Sequence, residues 1–265
     1  MKKLAFATAA VTLMLTGAAS AADLAARPYT KAPAIIAPIY NWGGFYVGIN
    51  GGGGWAHKCW DMVSVTGIPI ATIAEGCHDA SGGTVGGQLG YRWQASNWVF
   101  GLEAQGNWAD FRGSNLSGNL TFATPYTNRT KVEAFGLFTG QVGYAWNSFL
   151  LYVKGGAAVT SDKYDAFTNG VFGVFPVGTA FDRGSETRWG GVVGIGGEYA
   201  FSPNWSLGLE YDHLFMGNRT VTMTDVGSLG IPAGSVTRGV DIRQDVDIVT
   251  ARINYKFGGP VVARY

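Results

Sequence analysis

Two cysteines and two histidines in one stretch are the first residues whose types could do chemistry. Cys59 and Cys77 are the chain's two cysteines, 77 − 59 = 18 positions apart, and His57 and His78 lie close beside them. In an exported protein, such a cysteine pair most simply forms a disulfide that closes a loop. Two alternatives stay open. The thiols are free, or they join the histidines in a metal site, since both residue types are zinc ligands.

A run of four glycines, 51–54, invites comparison with a phosphate-binding loop. Such a loop requires a following helix and usually a Lys-Ser/Thr pair, and the sequence shows neither. Glycine inside a strand marks bending or the close approach of another group. We therefore interpret this run as part of a wall that leaves room for bulky side chains from other strands.

The N-terminal segment predicts export. Two lysines after Met1, an apolar run over 4–15 and small residues at 19–21 form the three parts of a secretory signal peptide, predicted here as residues 1–21. Residues 22–41 contain three prolines, a density that precludes a ladder strand and indicates an extended periplasmic leader. Beyond residue 21 no apolar run is long enough for a spanning helix, so any residence in a membrane must be by a barrel.

Composition then indicates which solvent the strands face. Removing Lys2 and Lys3 leaves 19 − 2 = 17 basic against 18 acidic residues. This near-neutral charge does not indicate nucleic-acid binding. The chain has 41 glycines, 9 + 12 + 15 = 36 aromatic residues and 14% charged residues. Soluble domains carry about 25% charged residues. This composition favours short strands beside lipid.

Four similar segments recur along the chain and set the strand count. Each closes an alternating run at Tyr91, Tyr144, Tyr199 or Tyr255, at spacings of 144 − 91 = 53, 199 − 144 = 55 and 255 − 199 = 56. Three of them are followed by a brief polar turn and a new apolar strand, the pattern of a hairpin. With a first strand from residue 42 or 44, the pattern predicts eight strands of period two.

Connection lengths alternate with the same regularity. Three turns of two to four residues contrast with four long loops, predicted at 57–80, 111–130, 161–186 and 217–244. This asymmetry is typical of an up-and-down antiparallel outer-membrane barrel with short periplasmic turns and long external loops. The alternative, a soluble Greek-key sandwich, does not predict aromatic residues clustered at one end. The predicted periplasmic girdle comprises Tyr91, Trp93, Trp98, Tyr144, Trp146, Tyr199, Phe201, Trp205, Tyr255 and Phe257.

Several short motifs in this order carry a family resemblance. They include Trp42-Gly-Gly-Phe-Tyr-Val-Gly, two Gly-Gln-x-Gly-Tyr segments, Leu151-Tyr-Val-Lys-Gly-Gly-Ala-Ala and Asn254-Tyr-Lys-Phe-Gly. The mature chain resembles the opacity-type outer-membrane β-barrel family of Gram-negative bacteria, and within it the small immunogenic surface-protein branch. The resemblance implies an eight-stranded barrel over 42–257, a type often labelled porin. A tail, 258–265, follows the last strand, so the barrel-assembly machinery could read either Phe257 or Tyr265 during insertion.

Alternation places a set of polar side chains inside the barrel. An eight-stranded barrel is just wide enough for its side chains to fill it, and buried charges must be paired. We interpret the set as a nearly neutral polar plug. A narrow ion path and a pair of catalytic carboxylates stay open as alternatives. The predicted interior residues are Gln88, Arg92, Glu103, Gln105, Glu133, Gln141, Lys154, Glu198, Glu210 and Arg252.

Some eight-stranded outer-membrane barrels are lipid-modifying enzymes, and a His-based site on the barrel exterior would be needed for that activity. His213 is the histidine that falls in a predicted strand, on the lipid face beside Tyr211 and Phe215. No serine lies two residues away, and the sequence shows no evident orienting acid on that face. We therefore predict a rim histidine and no enzyme, with no catalytic residue, cofactor or structural metal.

The predicted function is that of a structural, surface-exposed outer-membrane barrel that supports envelope integrity, with low-conductance porin activity as an addition. The predicted partners are outer-membrane lipid and lipopolysaccharide. The alternative is a surface receptor or adhesin whose external loops bind a host surface or an apolar ligand such as haem. Loops mix Thr, Asn, Gly, Phe and Val, and specificity would reside in them.

Overall fold

The computed structural model describes residues 40–119, 125–170 and 176–258. The predicted signal peptide, the leader up to residue 39 and residues 259–265 of the predicted tail lie outside this part of the chain. No helix among the described residues is both long and apolar enough to cross a membrane. The strands are β1 (Gly44–Val65), β2 (Ile68–Ala95), β3 (Trp98–Leu116), β4 (Tyr126–Trp146), β5 (Phe149–Thr168), β6 (Ala180–Ala200), β7 (Trp205–Asp225) and β8 (Val236–Lys256).

These strands form a closed antiparallel barrel, as the sequence predicts. Each strand pairs with its neighbours along the chain, and β1 pairs with β8. The backbone of Phe257 also bonds to the Phe45 carbonyl across this seam, at 2.8 Å. Closure leaves the sheet without an unpaired edge, the condition for strands to span a lipid bilayer.

The short turns lie where the aromatic segments end. Ser96 and Asn97 join β2 to β3, Asn147 and Ser148 join β4 to β5, and residues 201–204 join β6 to β7. Ser96 and Asn147 have positive φ values of 56° and 52°, the conformation that matches the twist of hairpin strands in two-residue turns. The predicted one-ended set of short turns is therefore confirmed.

The prediction of long loops at the other end is wrong over most of their length. β1 and β2 continue through 57–80 and meet at the turn Thr66-Gly67. The other three connections shrink to 117–125, 169–179 and 226–235. Beyond the membrane the barrel exterior faces water, so polar side chains lie outside. Apolar side chains such as Trp60 and Met62 point inward, where they are fully buried.

Two belts of aromatic side chains encircle the exterior of the barrel and bound its membrane-spanning part. On four strands, aromatic residues are separated by the same interval: 55 − 45, 108 − 98, 199 − 189 and 215 − 205 each equal 10. A tilted strand crosses the hydrocarbon core in about 9–11 residues. We call Trp55, Trp108, Trp189 and Phe215 the outer ring; all are exposed. Strand residues beyond it form the outer extension of the barrel.

Candidate functional site

An ion-pair network fills the barrel interior within the membrane span. Arg252 donates from Nη2 to Glu103 Oε2 at 2.7 Å and from Nη1 to Glu210. Lys154 Nζ lies 2.7 Å from Glu210 Oε1 and 3.1 Å from Asp212 Oδ1. All five side chains are almost completely buried. Each charge therefore has an opposite charge in contact, as burial demands.

Two tyrosines complete this network as hydrogen-bond donors. Tyr46 donates to Glu103 Oε2 at 2.6 Å, and Tyr152 donates to Glu210 Oε2 at 2.5 Å. Tyr152 lies against Gly196, where an added Cβ would be 2.4 Å from the tyrosine hydroxyl. A glycine on the facing strand is thus required for the tyrosine to reach the network.

A second ion pair lies toward the short-turn end. Arg92 and Glu198 bond through two N–H···O contacts of 2.5 and 2.9 Å, and their side chains are 3% and 0% exposed. Ser206 and Asn254 each donate to Glu198 at 3.0 Å. The Arg92 guanidinium also lies 4.3 Å from the Tyr46 ring centroid. The glutamate is therefore fully surrounded by donors.

The structure places all the predicted interior residues inside the barrel except Glu133. Glu133 is on the exterior, where Lys131 and Lys163 approach its carboxylate to 3.0 and 2.8 Å. A bulge in β4 between Val132 and Ala134 is the cause. The extra residue reverses which side chains point inward on the outer side of the bulge. Phe135 and Leu137, on the membrane side of the bulge, keep the inward facing of Thr139 and Gln141.

Above the polar network, a continuous apolar layer crosses the lumen. Every one of the eight strands supplies at least one buried side chain to it, among them Phe111, Phe135 and Leu137. Phe111 packs over Gly54, where an added Cβ would lie 2.8 Å from the ring. This contact agrees with the interpretation of the glycine run as a wall that accommodates bulky interior side chains. The other members of the layer are Ala56, Ala80, Ala109, Val132, Ala158, Val192, Leu214, Met216, Val246 and Ile248.

Further buried charges lie in the outer extension, and sequence reasoning missed them. Lys58 Nζ donates to Asp162 Oδ1 at 2.6 Å with both side chains fully buried. Nearer the outer end, Arg238 bonds to Asp182 Oδ2 at 2.7 Å and to Glu75. The sequence pattern predicts loops over these segments. The sequence signal for Lys58 is the alternation along β1: every second residue points inward, and this pattern continues from the membrane-spanning part through Lys58.

The outer mouth of the barrel contains an apolar cup of about 270 Å³. Phe181, Leu229 and Ile231 line its sides, and Arg238 lies in its wall. Tyr126 also lines it and donates to Glu75 Oε1 at 2.6 Å. Burial raises the pKa of Tyr126 to about 12, so its hydroxyl keeps its proton at neutral pH. The cup therefore combines apolar walls with charges that are already paired.

The predicted periplasmic girdle lies on the outer face of the barrel at the short-turn end. Its rings contact one another edge to face, with centroids 4.7 Å apart for Tyr91 and Trp93, 5.5 Å for Trp98 and Tyr144, and 5.0 Å for Trp205 and Tyr255. Trp146, Tyr199, Phe201 and Phe257 are more than half exposed. Such amphipathic rings favour the membrane–water interface.

Cys59 and Cys77 are joined by a disulfide between directly paired positions of β1 and β2. The two histidines lie on opposite faces of the barrel wall. His57 is exposed and bonds to Asp79 at 2.7 Å, whereas His78 points inward and bonds to Asn115 Oδ1 at 2.8 Å. The four residues therefore do not converge on one point, as a tetrahedral metal site requires.

His213 has an orienting acid, contrary to the expectation from sequence. Its Nδ1 lies 2.7 Å from Asp247 Oδ1, and Tyr211 donates to the same oxygen at 2.6 Å. The acid was overlooked because it lies on β8, directly opposite His213. The strand partner on the other side is Val193, so neither position paired with His213 holds the serine that a catalytic triad needs beside its histidine.

Comparison with known proteins finds relatives that cover nearly the whole chain. The chain is 28% identical over 256 residues to the 31 kDa outer-membrane immunogenic protein of Brucella melitensis, covering 94% of this chain and 98% of the relative. It is 24% identical over 260 residues to Outer membrane protein P1 of Coxiella burnetii, covering 93% and 98%. The solved structure of OprG from Pseudomonas aeruginosa aligns with a TM-score of 0.47 and 18% identity, covering 82% of this chain and 97% of that one.

The family model described as "Outer membrane protein beta-barrel domain" matches residues 7–257. That range includes every strand of the closed barrel. The chain therefore belongs to the outer-membrane β-barrel family, and it is an outer-membrane protein of a Gram-negative bacterium.

Proposed function

We propose that this chain is a sealed structural barrel that supports the integrity of the outer membrane and exposes its outer extension at the cell surface. The apolar layer is the observation that carries this proposal, because all eight strands close it. An ion crossing the layer would lose its hydration shell among side chains that offer no hydrogen bonds, at a cost of many kcal/mol. Below the layer, paired charges act as a plug.

Single-channel recording tests the seal. We expect the refolded chain to be silent in a planar bilayer once slower migration of an unheated sample on a gel shows that the barrel has formed. The variant Phe111→Ala/Leu137→Ala removes two large side chains from the layer and is expected to open a conducting path. Phe100→Ala, on the exposed lipid face, is the matched control and should stay silent.

Steady openings of the unaltered chain that change when Glu103→Gln is introduced would overturn the seal. Glu103 is 5% exposed and lies inside the barrel, so its charge can alter a current that flows past it. That result would establish the low-conductance porin as the correct function.

Envelope support needs a cellular measurement. A strain that lacks this chain is expected to become more sensitive to detergents, because a sealed barrel occupies the membrane without opening a path through it. The unaltered chain and Phe100→Ala should both restore resistance. Unchanged detergent sensitivity in the strain that lacks the chain would contradict a structural role.

The apolar cup at the outer mouth favours a second candidate, a surface receptor for a small apolar ligand. Its volume of about 270 Å³ is close to the lower end of ligand pockets, about 300 Å³, so a ligand such as haem would enter it only in part. Titration of the barrel with haem and with an apolar fluorescent dye tests this function. Binding that is lost in Leu229→Ser/Ile231→Ser and kept in Phe100→Ala would support a receptor.

A further inference from the structure

A row of cations crosses three neighbouring strands on the exterior of the outer extension. Arg112 on β3 is directly opposite Lys131 on β4, which is directly opposite Lys163 on β5. The side chains of Arg112 and Lys163 are 65% and 53% exposed, and that of Lys131 is 35% exposed. We call these residues the cation row.

A second row lies one step further from the membrane. Arg129 on β4 and Arg183 on β6 flank Asp165 on β5. Arg183 bonds to Asp165 at 2.8 Å. Arg129 lies 4.3 Å from the Phe167 ring centroid, and no carboxylate of the described residues is within 4.0 Å of it. The two rows together border an open groove of about 510 Å³.

Positive charge exceeds negative charge on this face. The two rows contribute five cations, and the carboxylates that pair with them are Asp110, Glu133 and Asp165. Like charges on directly opposite residues of neighbouring strands repel each other. Asp110 contacts both Arg112 and Lys131, and Glu133 contacts both Lys131 and Lys163, so these carboxylates offset part of the repulsion. An excess of 5 − 3 = 2 positive charges remains on this face, and an anion in the groove would pair with it.

The height of the cation row above the membrane identifies the source of such an anion. Arg112 follows Trp108 of the outer ring by 112 − 108 = 4 positions on β3. At about 3.3 Å per residue on a strand tilted by about 45°, this places the row roughly 9 Å above the ring. The polar headgroup layer is about 5–8 Å thick on each side of the hydrocarbon core, so the row lies beside its outer edge.

The opposite side of the barrel differs in charge. On β8 and β1, the exterior of the outer extension carries Asp61, Asp241 and Asp245, with Arg243 among them. A general requirement for basic residues above the membrane would place them on all sides. The excess of cations is instead confined to β3–β6, which points to a site with a preferred occupant.

We propose that the cation row and the groove beside it bind the phosphate groups of the outer-leaflet glycolipid, lipopolysaccharide. Arg112 and Arg129 present planar guanidinium groups that bond phosphate oxygens in pairs, while Lys131 and Lys163 supply point charges. The acyl chains of the same molecule lie against the exposed apolar surface below the outer ring. This contact fixes a glycolipid molecule to one side of the barrel.

Lipid retention tests the assignment with the full chain. The barrel is reconstituted into phosphatidylcholine vesicles that contain either bis-phosphorylated lipid A or its dephosphorylated form, and the lipid that stays bound after mild detergent extraction is quantified by mass spectrometry. We expect at least tenfold greater retention of the phosphorylated form. Raising the salt concentration from 0.05 to 0.5 M should reduce retention, because exposed charges are screened.

Two double variants with the same change in net charge provide the control. Arg112→Gln/Lys163→Gln should reduce retention about tenfold, whereas Arg219→Gln/Arg243→Gln, at exposed positions on β7 and β8, should change it less than twofold. If the first variant does not fold, Lys163→Gln alone is measured and should reduce retention at least threefold. Gel migration reports folding in each case.

Three results would overturn the proposal. Equal retention of the dephosphorylated lipid would show that acyl chains, not phosphates, hold it. Equal losses in both double variants would show a general charge effect without a site. Complete release by 10 mM inorganic phosphate would show a site for free phosphate, not for the glycolipid.

Discussion

Replacing Arg92 with methionine tests whether the lumen is dry. The guanidinium forms two bonds of 2.5 and 2.9 Å with Glu198, and the two side chains are 3% and 0% exposed. The substitution leaves a buried carboxylate with its neutral donors, Ser206 and Asn254. Breaking a buried ion pair by removing one partner costs about 3–5 kcal/mol. We expect the free energy of unfolding to fall by that amount.

The double variant Arg92→Met/Glu198→Met separates the interaction from the general loss of side chains. Replacing both partners with apolar residues of similar size is often neutral or stabilising, because no unpaired charge is left behind. We expect its free energy of unfolding to lie within about 2 kcal/mol of that of the unaltered barrel. The two single variants and the double variant complete a mutant cycle that yields a coupling energy of several kcal/mol.

Urea unfolding of the barrel in lipid vesicles, followed by tryptophan fluorescence, measures these free energies. Arg243→Met, at an exposed position, is the matched control and should change the free energy of unfolding by less than about 0.5 kcal/mol. A cost below about 1 kcal/mol for Arg92→Met is the value expected of a solvated pair. That result would refute the dry lumen and, with it, the sealed barrel.

Three further changes have distinct expected outcomes. Cys59→Ser/Cys77→Ser removes the disulfide that closes a loop of sequence separation 18 and should lower the free energy of unfolding by about 2–4 kcal/mol. Hydrogen exchange in the outer extension of β1 and β2 should become faster, and unchanged exchange would contradict this prediction. Gly54→Ala places a Cβ 2.6 Å from the Asp247 carbonyl and should cost about 1–3 kcal/mol in urea unfolding, whereas Gly106→Ala, with nothing within 4 Å, should have no measurable effect. Glu133→Gln should cost less than about 1 kcal/mol, as for a surface pair; a cost of several kcal/mol would place Glu133 inside the barrel.

Alternation of side chains predicted the membrane-spanning part of this barrel correctly. There, lipid outside and a filled lumen inside impose opposite polarities on successive residues, so a pattern such as Trp98, Phe100 and Leu102 outside against Glu103 inside is visible in sequence. The interior partners of Arg92 and Arg252 could not be predicted, because they lie on strands distant in sequence and depend on register.

The outer extension could not be predicted by the same rule, because its solvent differs. Lys58, Trp60 and Met62 keep the inward parity of β1, yet they include both a charged and two apolar side chains. On the exterior of this segment, His57 and Asp61 replace the apolar residues of the lipid-facing part, so the sequence pattern predicts a loop there. In β4, Phe135 and Leu137 share the inward parity of Gln141 because they belong to the apolar layer, and the bulge that moves Glu133 to the exterior breaks this parity without a sign in the sequence.

Burial of the interior charges limits which side chains of this protein can contact a partner. The charges below the apolar layer are buried and paired, so they stabilise one packing arrangement and are inaccessible from either side of the membrane. Exposed side chains such as Arg112 and Lys163 have the opposite character: substitutions at such positions usually change stability by less than about 0.5 kcal/mol. Asp110 and Glu133 pair with the cation row, yet the positive charges on this face still exceed the carboxylates that contact them. The proposed glycolipid phosphates would meet this excess at the height of the headgroups. Because the cation row is on the exterior, substitutions that change its partner would leave the interior packing of the barrel unchanged.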